Sequence, residues 1–192
     1  MTRAQTMDAS MTASARILLC VMCFCAGLPP VVEGGDLVLS NKADLFEHDM
    51  YTRFLFDGQL APKLRSVEPV DGVPSFNMPD NAYMTGIYTG ILAMKYAVTK
   101  DEETRRRGSE AIQALHLLCT ASGVPGLLAR AVVTPEMAKL DDGDWQPAAD
   151  GKRVWRADVS SDQMDGVFYG FLMAYDFFAN DDEKKIIADD VS

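Results

Sequence analysis

Residues 84–103 and 164–183 of this 192-residue chain are one segment written twice. MTGIYTGILAMKYAVTKDEE aligns without a gap on MDGVFYGFLMAYDFFANDDE, and Met, both Gly, a Leu, an Asp and a Glu coincide. A repeated unit cannot bury its apolar face alone, so the two copies are expected to stack on each other. Each copy is an apolar helical stretch, a polar turn and the start of a charged helix, which is an αα-hairpin.

The first apolar helix is expected over residues 81–98, with Asp80 as its N-cap. It is apolar almost all round, which marks burial on most sides. Gly86 and Gly90 lie four apart on one face. Glycine costs about 1 kcal/mol in a helix interior, so the pair predicts close approach of another helix. Thr99 and Glu102 form a capping-box pattern that opens an amphipathic helix over 101–120. Ser160 with Gln163, and Asn180 with Glu183, open a third and a fourth helix in the same way, and Gly166 and Gly170 repeat the glycine pair. A polar lead-in over 35–44, a short helix over 45–56, a proline-rich irregular loop over 57–80 and a long connection over 127–159 complete the reading.

Buried and exposed helices thus alternate. This pattern predicts an all-α fold of αα-hairpin repeats forming part of an α/α toroid, with the apolar helices inside. A ring takes more than two hairpins, so residues 77–192 are expected to be a partial toroid, after an extension over 35–76. Its uncovered apolar faces would drive self-association.

The start of the chain reads as an export signal. Arg3 and Arg16 precede or flank an acid-poor segment, and residues 17–28 (ILLCVMCFCAGL) are an apolar run too short to span a bilayer. Residues 1–34 are expected to be removed, giving a secreted or periplasmic protein. Cys20, Cys23 and Cys25 would leave with that segment, and Cys119 would remain as a buried thiol. The formal net charge of −10 argues against nucleic acid and anionic membrane as partners. It is compatible with a neutral polymer.

The segments NAYMTGIYTG (81–90), GVPGLLARAVV (123–133), DWQ (144–146), Val154-Trp155 and ADVSSDQMDGVFYG (157–170) follow one another in an order that resembles the six-hairpin glycosidase-like proteins. The likeness is at superfamily level, covers residues 77–192 and implies that the toroid is an (α/α)6 ring. It implies a carbohydrate-active, glycoside hydrolase-like protein acting on a poly- or oligosaccharide. A non-catalytic glycan- or protein-binding segment and a sugar epimerase or isomerase are the alternatives, the last of which would need a histidine base.

Under that resemblance the loops before the apolar helices line a cleft. Glycoside hydrolysis needs two carboxyl groups, one protonated and one acting as base or nucleophile. Asp158, Asp80 and Asp162 are the candidates. Asp80 also reads as an N-cap and Asp162 as a first-turn acid favoured by the helix dipole, whereas Asp158 is needed for neither. Trp155 and Trp145 are candidates for stacking on sugar faces, and Arg130, Arg156, Gln163 and Tyr83 for holding hydroxyls. The sequence offers no cofactor motif and no metal-ligand cluster beyond the leader cysteines.

Overall fold

The computed structural model describes residues 33–192, with side chains described from residue 38. The leader expectation for residues 1–32, cysteines included, lies outside the described residues. The chain divides into two units, residues 1–45 and 46–192. Helix α1, Glu33–Asp49, occupies the described end of the first and runs into the second. It replaces the expected polar lead-in, since no proline or glycine interrupts residues 36–49. The short helix expected over 45–56 is reduced to the end of α1 and a π-helical turn, Met50–Phe54.

In the second unit, the proline-rich segment is more ordered than expected. It forms two small antiparallel hairpins, β1 (Leu55–Phe56) with β2 (Gln59–Leu60) and β3 (Lys63–Leu64) with β4 (Phe76–Asn77). Asp57 and Gly58, both at positive φ, make the first turn. Helix α2 follows over Asn81–Thr99 and α3 over Glu102–Thr120. The long connection contains β5 (Val132–Val133), a one-turn helix α4 (Pro135–Ala138), β6 (Trp145–Pro147) and β7 (Val154–Arg156). The three strands make one antiparallel sheet in the order β5-β7-β6. Helices α5 (Ser161–Phe177) and α6 (Asp181–Asp190) close the chain's described part.

The two repeats meet as the glycines require. A β-carbon on Gly86 would lie 1.8 Å from the carbonyl oxygen of Gly166, and one on Gly170 would lie 2.8 Å from the Cα of Gly86. Helices α2 and α5 therefore touch backbone to backbone. They run in the same direction. The amide of Tyr83 meets Gln163 near one end, and the rings of Tyr96 and Phe178 meet edge to face at the other. Helices α3 and α6 are paired likewise, by Arg105 to Glu183 at 2.6 Å and His116 to Asp190 at 2.9 Å.

The expected fold class is overturned. Three small antiparallel sheets accompany the helices, so the chain is mixed α and β, and two hairpins do not make a toroid. The seam supplies a physical reason. Ring members stack head to tail, each offering one face forward and a different face back. Here both copies turn the same glycine face toward each other, so the pairing closes on itself. Burial of the apolar helices is also one-sided: Val98 is 86 % and Leu172 60 % exposed.

The main core lies between the helices and the three-stranded sheet. Ile112, Leu115 and Leu118 of α3 pack with Val167 and Phe171 of α5 and with Val132 and Trp155 of the sheet. A second cluster, Phe76, Met78, Ala131 and Val133, joins β4 to β5. The sheet thus holds the loops that precede α2 and α5 against the ends of those helices.

Candidate functional site

Arg130 organises the edge where α2 and α5 begin. Its backbone is clamped first. Its N–H donates to the carbonyl of Arg156, and its own carbonyl accepts from the amide of Ala82, both at 2.9 Å. The guanidinium then reaches two loops at once. It donates to the carbonyl of Pro79 at 2.6 Å, to the carbonyl of Asp158 and to Ser160 Oγ at 2.9 Å. Asp80 Oδ1 lies 3.6 Å away. The fixed fork of arginine donors suits such a multiple clamp, where a lysine would reach fewer acceptors.

Gln163 is the second tie. It is fully buried, its Oε1 accepts from the amide of Tyr83 at 3.2 Å, and its Nε2 donates to Asp80 Oδ1 at 3.1 Å. The expected caps at these two helices are therefore replaced. Neither Asp80 nor Ser160 caps its own helix through its side chain. Both are turned to bonds that cross between the repeats or to the Arg130 clamp. The capping box expected at Asn180 and Glu183 is present, and the start of α3 is capped by Asp101 rather than by Thr99.

The three candidate aspartates lie on the segments that meet at this rim. Asp162 accepts from the hydroxyl of Ser160, which holds its carboxyl below the usual range against the opposing effect of burial. Asp80 is held by Gln163 and Arg130. Asp158 is exposed and stands at φ 64, in the left-handed region. A non-glycine residue pays roughly 1–2 kcal/mol there, aspartate being among the more tolerant. Its carbonyl is fastened by Arg130, while its carboxylate makes no hydrogen bond or ion pair among the described residues.

The other candidates divide. Tyr83 is 37 % exposed on the rim, with its backbone against Gly166. Trp155 is in the core as the centre of β7 and has no open face for a sugar. Trp145 packs on the second cluster, and its Nε1 is buried without a partner. Arg156 is bound to Asp141 at 2.8 Å, and the Asp141 carboxylate is fully buried and also accepts from the amide of Gly143 at 3.0 Å. Arg156 is a strut of the β6 loop rather than part of the rim. Alternation within strands of two or three residues carries too little periodicity to reveal any of this.

Three features escaped the sequence reading. Ser160 links Arg130 to Asp162. Asn81 is completely buried at the start of α2, and neither end of its amide has a partner. His116 is paired with Asp190 across 74 residues of sequence, which no local pattern could signal. Among the described residues no group of three or more His, Cys, Asp or Glu could hold a metal ion, and no helix is long and apolar enough to cross a membrane.

Comparison with protein families, with characterised proteins and with solved structures finds no match to this chain.

Proposed function

We propose that this is an exported carbohydrate-active protein that takes a neutral or amino-sugar saccharide at the Arg130 rim, with Asp158 as the carboxylate that acts on it. The observation carrying the reading is Asp158 itself. A left-handed backbone fastened by an arginine, presenting a carboxylate with no protein partner, is local strain without a structural use for the side chain. Asp162, kept ionised by Ser160, suits the base or nucleophile of a carboxylate pair, with Asp158 as the other member. The resemblance of residues 77–192 to glycosidase-like proteins supports the same chemistry. Acidic polysaccharides fit poorly, because three carboxylates crowd the rim and the chain carries a net charge of −10.

Calorimetric titration and product analysis with a panel of neutral and amino-sugar oligosaccharides test the reading. The parent binds at least one of them, and Asp158→Asn abolishes turnover while leaving binding in place. Failure of the parent to bind any member sinks the proposal. Binding and turnover that ignore Asp158→Asn remove that residue from it.

A protein-binding role is the second reading, and one observation favours it. Met164, Phe168, Leu172 and Tyr175 form a stripe along α5, each at least 42 % exposed. Such a helix face is the kind of surface that associates. Under this reading Leu172→Glu lowers the scattering mass at high concentration and Asp158→Asn does not.

A further inference from the structure

The stripe on α5 borders a groove of about 740 Å³ that shares no residue with the Arg130 rim. One wall is apolar, made by Met164 and Phe168 of α5 with Val124 and Leu128 of the loop after α3. The other carries His116 of α3 and Asp190 of α6. His116 Nδ1 lies 2.9 Å from both carboxylate oxygens of Asp190, and the Asp190 side chain is only 5 % exposed.

That pairing sets the chemistry of the groove. Of the two neutral tautomers, a carboxylate against Nδ1 selects the one that carries its proton there, and in that form Nε2 offers its lone pair as an acceptor. The imidazole is 39 % exposed and lines the groove, so this acceptor is open to a ligand. Pockets of this volume, mostly apolar with a few fixed polar groups, are the usual form of small-molecule sites. Asp189 and Asp190 on the same wall oppose an anion.

We propose that the groove binds an uncharged apolar molecule bearing one hydroxyl, a phenol or an aromatic alcohol, whose O–H donates to His116 Nε2 while its body lies on Phe168 and Met164. The proposal is independent of the saccharide reading, since neither set of residues enters the other.

Equilibrium dialysis of the full chain with 1-naphthol, naphthalene and 1-naphthoate tests it. The expected order is naphthol first, then naphthalene, with naphthoate weakest. A single neutral hydrogen bond is worth about three- to tenfold in affinity, which is the expected margin of naphthol over naphthalene. His116→Phe, which has no acceptor, removes that margin. Phe168→Asp, at a position 46 % exposed and so tolerant of the change, lowers binding of both neutral probes. Leu172→Asp, outside the groove lining, leaves them unchanged. Melting curves for each variant separate lost binding from lost folding. The proposal is overturned if naphthoate binds as well as naphthol, if the margin survives His116→Phe, or if folded Phe168→Asp binds like the parent.

Discussion

Gly86 and Gly166 meet with no side chain between them: a β-carbon on Gly86 would lie 1.8 Å from the Gly166 carbonyl oxygen and 2.3 Å from its carbonyl carbon. The obstacle is backbone, which cannot rotate away. Gly86→Ala is therefore expected to destabilise by about 3 kcal/mol or more, at or above the usual range for overpacking. Gly72→Ala, at an exposed turn with nothing within 4 Å, costs only the strain of its positive φ, about 1–2 kcal/mol. Thermal melts of the two proteins give the comparison. Equal losses would mean that the seam tolerates a wider spacing than its geometry implies.

Arg130→Ala should cost about 2–4 kcal/mol, because the carbonyls of Pro79 and Asp158 and the hydroxyl of Ser160 lose a charged donor together. Arg130→Lys should recover only part, since one ammonium cannot span both loops. Denaturant titration ranks the three proteins. Full recovery with lysine would reduce the clamp to a charge effect.

Glu183 yields a pH dependence. Burial alone would raise its carboxyl, but the amide of Asn180, Ser109 and Arg105 together hold it below its ordinary value of 4.5. The folded state thus binds this proton less readily than the unfolded state. The stabilisation is complete above about pH 4.5 and is lost as pH falls through the lower folded value. Relative to the parent, Glu183→Gln should lose stability at pH 7 and lose progressively less as the solution is acidified below pH 4.5. A gap independent of pH would assign the effect to packing.

Cys119 is the free thiol of the described residues, and burial pushes it up to about 12, with Asp190 adding to the effect. The thiolate is the reactive form, so labelling by a maleimide at pH 7 should be slow in the folded protein and fast in denaturant. Rapid labelling of the folded chain would show that the thiol is reached through the groove it lines.

The four helices of the two repeats were legible because their signals are local. The start at Asn81, the box at Asn180 and Glu183, and the glycine pairs all lie within one or two turns of sequence. Gly86 and Gly166 even announced their contact, since glycine is rarely placed in a helix without a neighbour that needs the space. What escaped the reading depends on distant partners. Val132 pairs with Trp155 in β5 and β7, and Gln59 holds both backbone groups of Val132 from 73 residues away. Once the sheet forms, Trp155 is withdrawn into the core and Arg156 is committed to Asp141, so two candidate rim residues become structural. Asp80 and Ser160 carried good cap signals, but the crossing bonds to Gln163 and Arg130 won. Asp158 stood out in the sequence for lacking a local task, and its open carboxylate agrees with that.

The glycine seam also constrains how the protein can be made. Gly86 finds its partner only after 80 further residues have been added. Until then the first hairpin has a bare backbone groove and no surface that fits it. Closing so long a loop carries an entropic cost of several kcal/mol before any contact repays it. The two hairpins therefore should not fold in succession as they leave the ribosome; they should wait and lock in one concerted step, so that the first half alone stays open to proteases and chaperones.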